Sequence, residues 1–155
     1  MPSPSQPAVE LPDEAATSAF AARIAPLLRV GDLLYLEGDL GAGKTAFARA
    51  LINALPGPRE EVPSPTFTLV QTYPRDALEI WHFDLYRLER AEEVWELGLE
   101  EALVAGASLV EWPERAGSLL PAERLVLRFA HAGTGRRLTL EPHGGWAERL
   151  RALAP

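Results

Sequence analysis

Eight consecutive residues combine the types and spacing that bind phosphate: Gly38-Asp39-Leu40-Gly41-Ala42-Gly43-Lys44-Thr45. They match the pattern G-x-x-x-x-G-K-[ST], in which glycines let backbone N–H groups approach an anion closely. The Lys44 ammonium then reaches the β- and γ-phosphates of a nucleotide, and the Thr45 hydroxyl is a ligand for Mg²⁺. The alternative is a plain glycine-rich turn. The context favours a phosphate-binding loop, because an apolar run precedes the motif and a helical pattern follows it.

Lys44 is the only lysine among 15 basic residues, and all the others are arginines. A compositional bias toward arginine explains this without any function. A second interpretation is that position 44 requires an ammonium, because this compact charge fits beside phosphates where a planar guanidinium does not. The position of Lys44 within the motif favours the second interpretation.

Two carboxylates follow apolar runs and are candidates to complete a metal site. Glu111 follows the continuous run 108–110, and Asp84 follows the run 80–83. A phosphate-binding loop needs a second acidic group at the end of a buried strand to hold Mg²⁺. We predict Glu111 for the metal and Asp84 for orienting the attacking water. The alternatives are a salt bridge at a sheet edge for Glu111 and an ion pair with Arg87 for Asp84.

Other polar and aromatic residues near these motifs are open to two interpretations. The segment Ser64-Pro65-Thr66-Phe67-Thr68 is either a loop that senses the γ-phosphate through the Thr66 hydroxyl or a connection stiffened by proline. His82 is more typical of a packed strand histidine than of a catalytic base. Trp112 either belongs to the core or covers the site.

The composition restricts the class of protein. The 155 residues are 47% hydrophobic and 24% charged, as in a globular domain, and no cysteine is present for disulfides or thiolate metal sites. A net charge of -7 argues against a protein that grips nucleic acid alone. The N-terminus lacks the pattern of a signal peptide, and no apolar run is long enough for a membrane span, so we expect a cytoplasmic protein. A motif N-K-x-D, typical of guanine recognition, needs a second lysine, so ATP is favoured over GTP.

The alternation of helical and apolar patterns predicts an α/β fold, a three-layer sandwich around a mixed β-sheet. We expect a disordered tail at 1–10 and one nucleotide-binding domain at 11–155. A helical pattern opens at Leu11 and runs to about Leu28, with Asp13 or Thr17 as its cap. Further helices are predicted from Thr45 to Leu55, Glu89 to Ala105 with a break near Gly98, and Trp146 to Leu153. Strands are predicted at 33–36, 67–73, 78–83, 107–110, 125–129 and 137–140, with hairpins at 74–77 and 133–135.

Four segments together resemble the TsaE (YjeE) family in their order and spacing. They are Gly38–Thr45, Ser64-Pro65-Thr66-Phe67-Thr68-Leu69-Val70, His82-Phe83-Asp84-Leu85-Tyr86-Arg87 and Glu111-Trp112-Pro113-Glu114. The last two are far more specific to the family than the phosphate-binding loop. The resemblance implies that Thr45 and Glu111 ligate Mg²⁺ and that a larger group contacts ATP: Glu14, Leu40, Gly41, Ala42, Gly43, Lys44, Thr45, Asp84 and Arg136.

The resemblance also implies a role in the cell. Proteins of this family are ATPases required for N6-threonylcarbamoyladenosine at position 37 of tRNAs that read codons starting with A. They act with the TsaD and TsaB proteins, and ATP hydrolysis resets that complex between turnovers. An acidic member is expected to reach tRNA through these partners. Two alternatives are a nucleotide-gated assembly module, in which ATP occupancy is the signal, and a small-molecule kinase, for which the sequence has no evident acceptor site.

Overall fold

The computed structural model describes residues 7–39, 41–65 and 68–153; Leu40, Thr66 and Phe67 lie outside the described residues. The described residues form seven strands and five α-helices. In order they are β1 (Ala8–Leu11), α1 (Glu14–Ile24), β2 (Leu33–Glu37), α2 (Lys44–Ala54), β3 (Val70–Pro74), β4 (Glu79–Asp84), α3 (Glu93–Glu96), α4 (Leu99–Ala105), β5 (Gly106–Glu111), β6 (Leu125–Ala132), β7 (Gly135–Pro142) and α5 (Trp146–Leu150).

The strands form one mixed sheet in the order β1-β7-β6-β2-β5-β4-β3. The four central strands, β6, β2, β5 and β4, are parallel, while β3, β7 and β1 pair antiparallel at the two edges. The runs predicted as buried strands, β2 and β5, lie beside each other in the middle of this sheet. A parallel strand buried on both faces needs apolar residues at every position, which explains their continuous hydrophobic sequences.

Each face of the sheet has its own hydrophobic core. Along β2, Leu34 and Leu36 belong to the core under α1, α2 and α5, whereas Leu33 and Tyr35 belong to the core under α3 and α4. Helices therefore cover both faces, and the predicted three-layer α/β sandwich is confirmed. Among the described residues no helix has the length and apolarity to cross a membrane.

Some predicted boundaries were wrong. Ala8, Val9 and Glu10, expected in a disordered tail, belong to β1 and pair with β7. This pairing joins residues that are far apart in the sequence, so no local sequence pattern predicts it. The helical pattern opens at Leu11, but the helix itself begins at Glu14. Asp13, one of the two predicted caps, accepts the Ala16 N–H at 2.9 Å, so this part of the prediction is confirmed.

The other differences occur at turns. The third predicted helix begins only at Glu93, and Gly98 (φ 93°) divides it as expected. The strand expected from Phe67 begins at Val70, since Leu69 has φ 68° and leaves the extended conformation.

The topology brings the predicted site residues to one edge of the sheet. Asp84 and Glu111 are the last residues of β4 and β5 and pair in register, and Leu36 of β2 pairs with Glu111 on the other side. The loop that follows β2 leaves the sheet at the same edge. Ligands of open α/β sheets bind outside the carboxyl ends of the strands, which is where these residues lie.

Candidate functional site

The loop between β2 and α2 has a backbone that only glycine adopts easily. Gly43 has φ 109°, and α2 begins at the next residue. At Gly38, a Cβ atom would lie 2.5 Å from the Phe129 carbonyl oxygen of β6, so a side chain has no space there. No side chain of the described residues caps the N-terminus of α2, so its first N–H groups are left to bind an anion.

The Lys44 side chain is buried at the base of this loop, with only 5% of its surface exposed. Its Nζ donates to the Gly38 carbonyl oxygen at 2.6 Å and lies 3.7 Å from the centre of the Trp112 ring. Burial lowers the pKa of the Lys44 ammonium, while the negative charges of Glu111 and Asp84 act in the opposite direction. Burial therefore disfavours the charged form of Lys44, while the negative charges of Glu111 and Asp84 favour it.

Glu111 connects the loop to the centre of the sheet. Its Oε2 accepts the Thr45 hydroxyl at 3.0 Å, and its Oε1 lies 3.3 Å from the same hydroxyl. On its other side, Oε2 lies 2.6 Å from Nε2 of His82. Glu111 itself is 3% exposed. The two predicted metal ligands therefore lie in direct contact. Glu111 lies on a central strand, not at a sheet edge, and the basic side chain beside it is His82.

Asp84 lies next to Glu111 at the end of β4, with 3% of its surface exposed. Its Oδ2 accepts the Ser64 hydroxyl at 3.3 Å, and its Oδ1 accepts the Tyr86 N–H at 3.0 Å. These hydrogen bonds fix the carboxylate and tie it to the loop that begins at Pro63. Thr66, predicted to act in that loop, lies outside the described residues.

An open cleft of about 640 Å³ lies between these groups. It brings together residues from the loop, α2, β4, β5 and β7, namely Gly41, Gly43, Lys44, Thr45, Ala46, Arg49, Ser64, Asp84, Tyr86, Glu111, Trp112 and Arg136. Arg136 reaches the loop from β7, where it donates to the Gly41 carbonyl oxygen at 2.8 Å. Ala42, also predicted to bind ATP, is 1% exposed and packs in the core below the loop. Leu40 lies outside the described residues.

Glu14, like Ala42, is a described site residue that does not line the cleft. It is exposed and lines a separate groove of about 410 Å³ between α1 and α2. This groove shares Ala46 and Arg49 with the cleft, so the two are neighbours along α2. The predicted contact of Glu14 with a nucleotide requires the ligand to extend from the cleft into this groove.

Four lining residues had no individual role in the sequence predictions: Ala46, Arg49, Ser64 and Tyr86. Ser64 and Tyr86 belong to motifs that carry the family resemblance, which was a signal for their position. No sequence signal indicated the position of Arg49, because its location depends on the packing of α2 beside the loop. There it donates to the Val62 carbonyl oxygen at 3.0 Å. Trp112, left open above, adopts φ 58° and places its ring against both Lys44 and Tyr86.

The donor set fits Mg²⁺. Thr45 and Glu111 offer hard oxygen atoms, and Mg²⁺ is commonly bound by one or two such protein groups together with water and phosphate oxygens. In the part of the chain that the structure describes, no cluster of three or more His, Cys, Asp or Glu residues forms a site for a metal held by protein alone.

The mixed sheet, the glycine loop and the helix after it define a P-loop NTPase-like α/β protein. Residues 11–138 match the family profile described as "Threonylcarbamoyl adenosine biosynthesis protein TsaE". The chain therefore belongs to the TsaE family, whose members serve tRNA threonylcarbamoyladenosine biosynthesis, and the resemblance noted in the sequence is confirmed.

Relatives support the assignment. A tRNA threonylcarbamoyladenosine biosynthesis protein TsaE from Rickettsia felis is 46% identical over 128 residues, or 83% of this chain and 75% of the relative. That of Bacillus subtilis is 42% identical over 122 residues, or 78% of this chain and 75% of the relative. The crystal structure of Bacillus subtilis YdiB superposes with a TM-score of 0.79 at 34% identity, covering 94% of this chain and 91% of that one.

Proposed function

We propose that this protein is a Mg²⁺-dependent ATPase required for the formation of N6-threonylcarbamoyladenosine at position 37 of tRNAs that read codons starting with A. The observation that carries the proposal is the contact of Thr45 with Glu111, at 3.0 Å, directly beside the buried Lys44 ammonium. A hydroxyl, a carboxylate and an ammonium at the N-terminus of a helix form the set of groups that binds a metal–triphosphate.

Each residue of the cleft has a role in this proposal. Lys44 binds the β- and γ-phosphates, and Leu40 to Thr45 contact ATP. Thr45 and Glu111 hold Mg²⁺, which when bound neutralises the charge that develops on the phosphate oxygens. Asp84 orients the attacking water, because its carboxylate is fixed by hydrogen bonds from Ser64 and Tyr86. Its negative charge also favours the charged form of Lys44. Thr66 contacts the γ-phosphate.

Two further residues bind the remainder of ATP. Arg136, whose guanidinium lies against the glycine loop, contacts the nucleotide from β7, and Glu14 contacts it where the groove beside α1 adjoins the cleft. ATP is favoured over GTP, because the chain has no second lysine for the guanine motif N-K-x-D. Hydrolysis that proceeds equally fast with both nucleotides would remove this argument.

The proposed partners are the TsaD and TsaB proteins, and tRNA is reached through their complex in the cytoplasm. The net charge of -7 supports indirect contact with tRNA, because a strongly acidic protein is repelled by a polyphosphate. Hydrolysis resets the complex between turnovers. The loop containing Thr66 is the proposed moving part, and its neighbour Ser64 already links it to Asp84.

The experiment is ATP hydrolysis by the pure protein with and without TsaD and TsaB, together with retention of both partners in ATP, in ADP and without nucleotide. We expect slow hydrolysis alone, stimulation by the partners, and retention that differs between ATP and ADP. By linkage, partners must then change nucleotide affinity by the same factor. Nucleotide-dependent retention without stimulated hydrolysis would favour a nucleotide-gated assembly module. Equal retention in all three states without stimulation would contradict the reset role.

A further inference from the structure

His82 is a polar residue in the middle of the sheet, away from any solvent. It lies on β4, pairs in register with Leu109 of β5, and is 0% exposed. Side chains two residues apart on a strand point to the same face, so His82 lies on the same side as Asp84. That side faces α2 and the phosphate-binding loop, since Ile80 and Leu109 pack in the core with α2.

Among the described residues, the His82 ring has one hydrogen-bond partner, which is Glu111. Nε2 lies 2.6 Å from Oε2 of Glu111, and Nδ1 has no hydrogen-bond partner among residues 7–39, 41–65 and 68–153. A buried polar group without a hydrogen bond is costly, so an imidazole kept at this position for packing alone would be replaced without loss by an apolar side chain. The single short contact indicates that Nε2–H donates to the carboxylate.

The same Glu111 oxygen accepts the Thr45 hydroxyl at 3.0 Å. His82 and Thr45 therefore hold Oε2 from two directions, one from within the sheet and one from the loop. A carboxylate that rotates about its terminal bond is fixed by such a pair of donors. Without the imidazole, the Thr45 hydroxyl is the one remaining side chain among the described residues that hydrogen-bonds Glu111, and that hydroxyl is itself a proposed metal ligand.

We propose that His82 is a positioning residue that holds the Glu111 carboxylate in the orientation required for Mg²⁺. This inference rests on the proposed function, because it assigns a partner to one of the metal ligands. His82 touches neither the nucleotide nor the metal. Its effect is on the affinity for Mg²⁺, and the binding of ATP in the absence of Mg²⁺ is independent of it.

Two amide variants separate this role from packing. The amide nitrogen of His82→Gln takes the place of Nε2, while that of His82→Asn takes the place of Nδ1 and cannot reach Glu111. Both variants bury the same chemical group. We would measure ATP affinity by calorimetry across a Mg²⁺ titration and in EDTA, with the thermal midpoint of each variant.

We expect His82→Asn to raise the Mg²⁺ concentration for half-maximal effect on ATP affinity by about tenfold or more, in line with the loss of other groups that orient metal ligands. His82→Gln should remain within about threefold of the parent, and both variants should bind ATP in EDTA as the parent does. If His82→Asn does not fold, His82→Met, which has similar length and no donor, replaces it with the same expectation.

Equal Mg²⁺ dependence of the variant pair and the parent would overturn the positioning role while leaving the proposed function intact. A shift of the same size in both variants would also overturn it, because the donor at Nε2 would then not matter. If the parent protein binds ATP identically with and without Mg²⁺, the metal part of the proposed function fails, and the inference fails with it.

Discussion

Buried charged residues lie near both ends of strand β2, and their contacts differ between the two ends. Before its first residue, Asp32 is 6% exposed and accepts two hydrogen bonds from the Arg149 guanidinium, at 2.6 and 2.7 Å. Arg149 also donates to the Leu27 carbonyl oxygen and packs on the Trp146 ring at 4.2 Å. Each charge at this end is neutralised by a specific partner.

At the carboxyl end, the charges surround an open cleft. Lys44 donates to a carbonyl oxygen and faces an aromatic ring, while Glu111 accepts from Thr45 and His82. None of these pairings joins the Lys44 ammonium directly to a carboxylate. The comparison teaches that burial of charge alone does not identify a site. The site is the end where charges of both signs are held apart beside a cleft.

The largest expected effect is at Lys44. Lys44→Ala removes the ammonium from the phosphate cradle, and we expect hydrolysis to fall by a factor of about 10² or more, because electrostatic contacts in a dry site contribute strongly to the transition state. Steady-state ATPase measurements test this. Arg137→Ala is the matched control, since Arg137 is an exposed cation whose side chain pairs with Glu10. Comparable turnover in the Lys44 variant would remove the distinction between the two ends.

At the other end, Asp32→Asn leaves the partly buried Arg149 guanidinium, 15% exposed, without its charged partner. Removal of one partner from a buried ion pair costs about 3 kcal/mol or more of stability, equivalent to a fall in Tm of about 8 °C for a chain of this size. Calorimetric or spectroscopic melting measures it. The specific activity of the folded variant should be unchanged. A stable variant with impaired hydrolysis would show that the amino end also serves the reaction.

The two carboxylates at the site should separate in a Mg²⁺ titration. Glu111→Ala removes a metal ligand, so we expect the Mg²⁺ concentration for half-maximal ATPase activity to rise by about tenfold. Asp84→Ala should lower kcat by about 10²-fold with little change in that concentration, because a residue that orients water acts on the chemical step. If Asp84→Ala alone shifts the Mg²⁺ dependence, the two roles are exchanged.

The smallest effect concerns exposed charges beside the last residue of β2. Arg128 bridges Glu37 and Glu141, and its hydrogen bond, with that of His143, lowers the pKa of Glu141 to about 2. The stabilisation is therefore complete above the unfolded pKa of 4.5 and is lost as pH falls from there toward 2. Because Arg128 is 45% exposed, we expect less than about 1 kcal/mol. Denaturant unfolding of Glu141→Gln and the parent at pH 7 and pH 3 tests this, and an equal difference at both values would contradict it.

Local patterns were enough to predict the parts of the fold that have local causes. Two continuous apolar runs predicted β2 and β5 at the centre of the sheet, and the spacing of glycines and Lys44 predicted the loop between β2 and α2. The placement of Glu111 at a strand end followed from the run of β5, and that of Asp84 from the run 80–83. Parallel strands then brought these carboxylates to one edge, as the topology of an α/β sheet requires.

The remaining features depend on contacts between distant residues. The pairing of Ala8–Leu11 with β7 joins the two ends of the chain, and no periodicity in the sequence indicates it. His82 was interpreted as a packed strand histidine, and its burial is confirmed, but its contact with Glu111 depends on the register of β4 and β5. The position of Ser64 beside Asp84 likewise depends on the path of a loop with two prolines.

The most direct test of the account is calorimetric titration of Mg²⁺–ATP into the parent protein, Lys44→Ala and Asp32→Asn. We expect one binding site in the parent, an affinity lower by about tenfold or more in Lys44→Ala, because a hydrogen bond to a charged group is lost, and the parent's affinity in folded Asp32→Asn. Affinity that is unchanged in Lys44→Ala, or lost in Asp32→Asn, would contradict the assignment of the nucleotide site to the carboxyl end of β2.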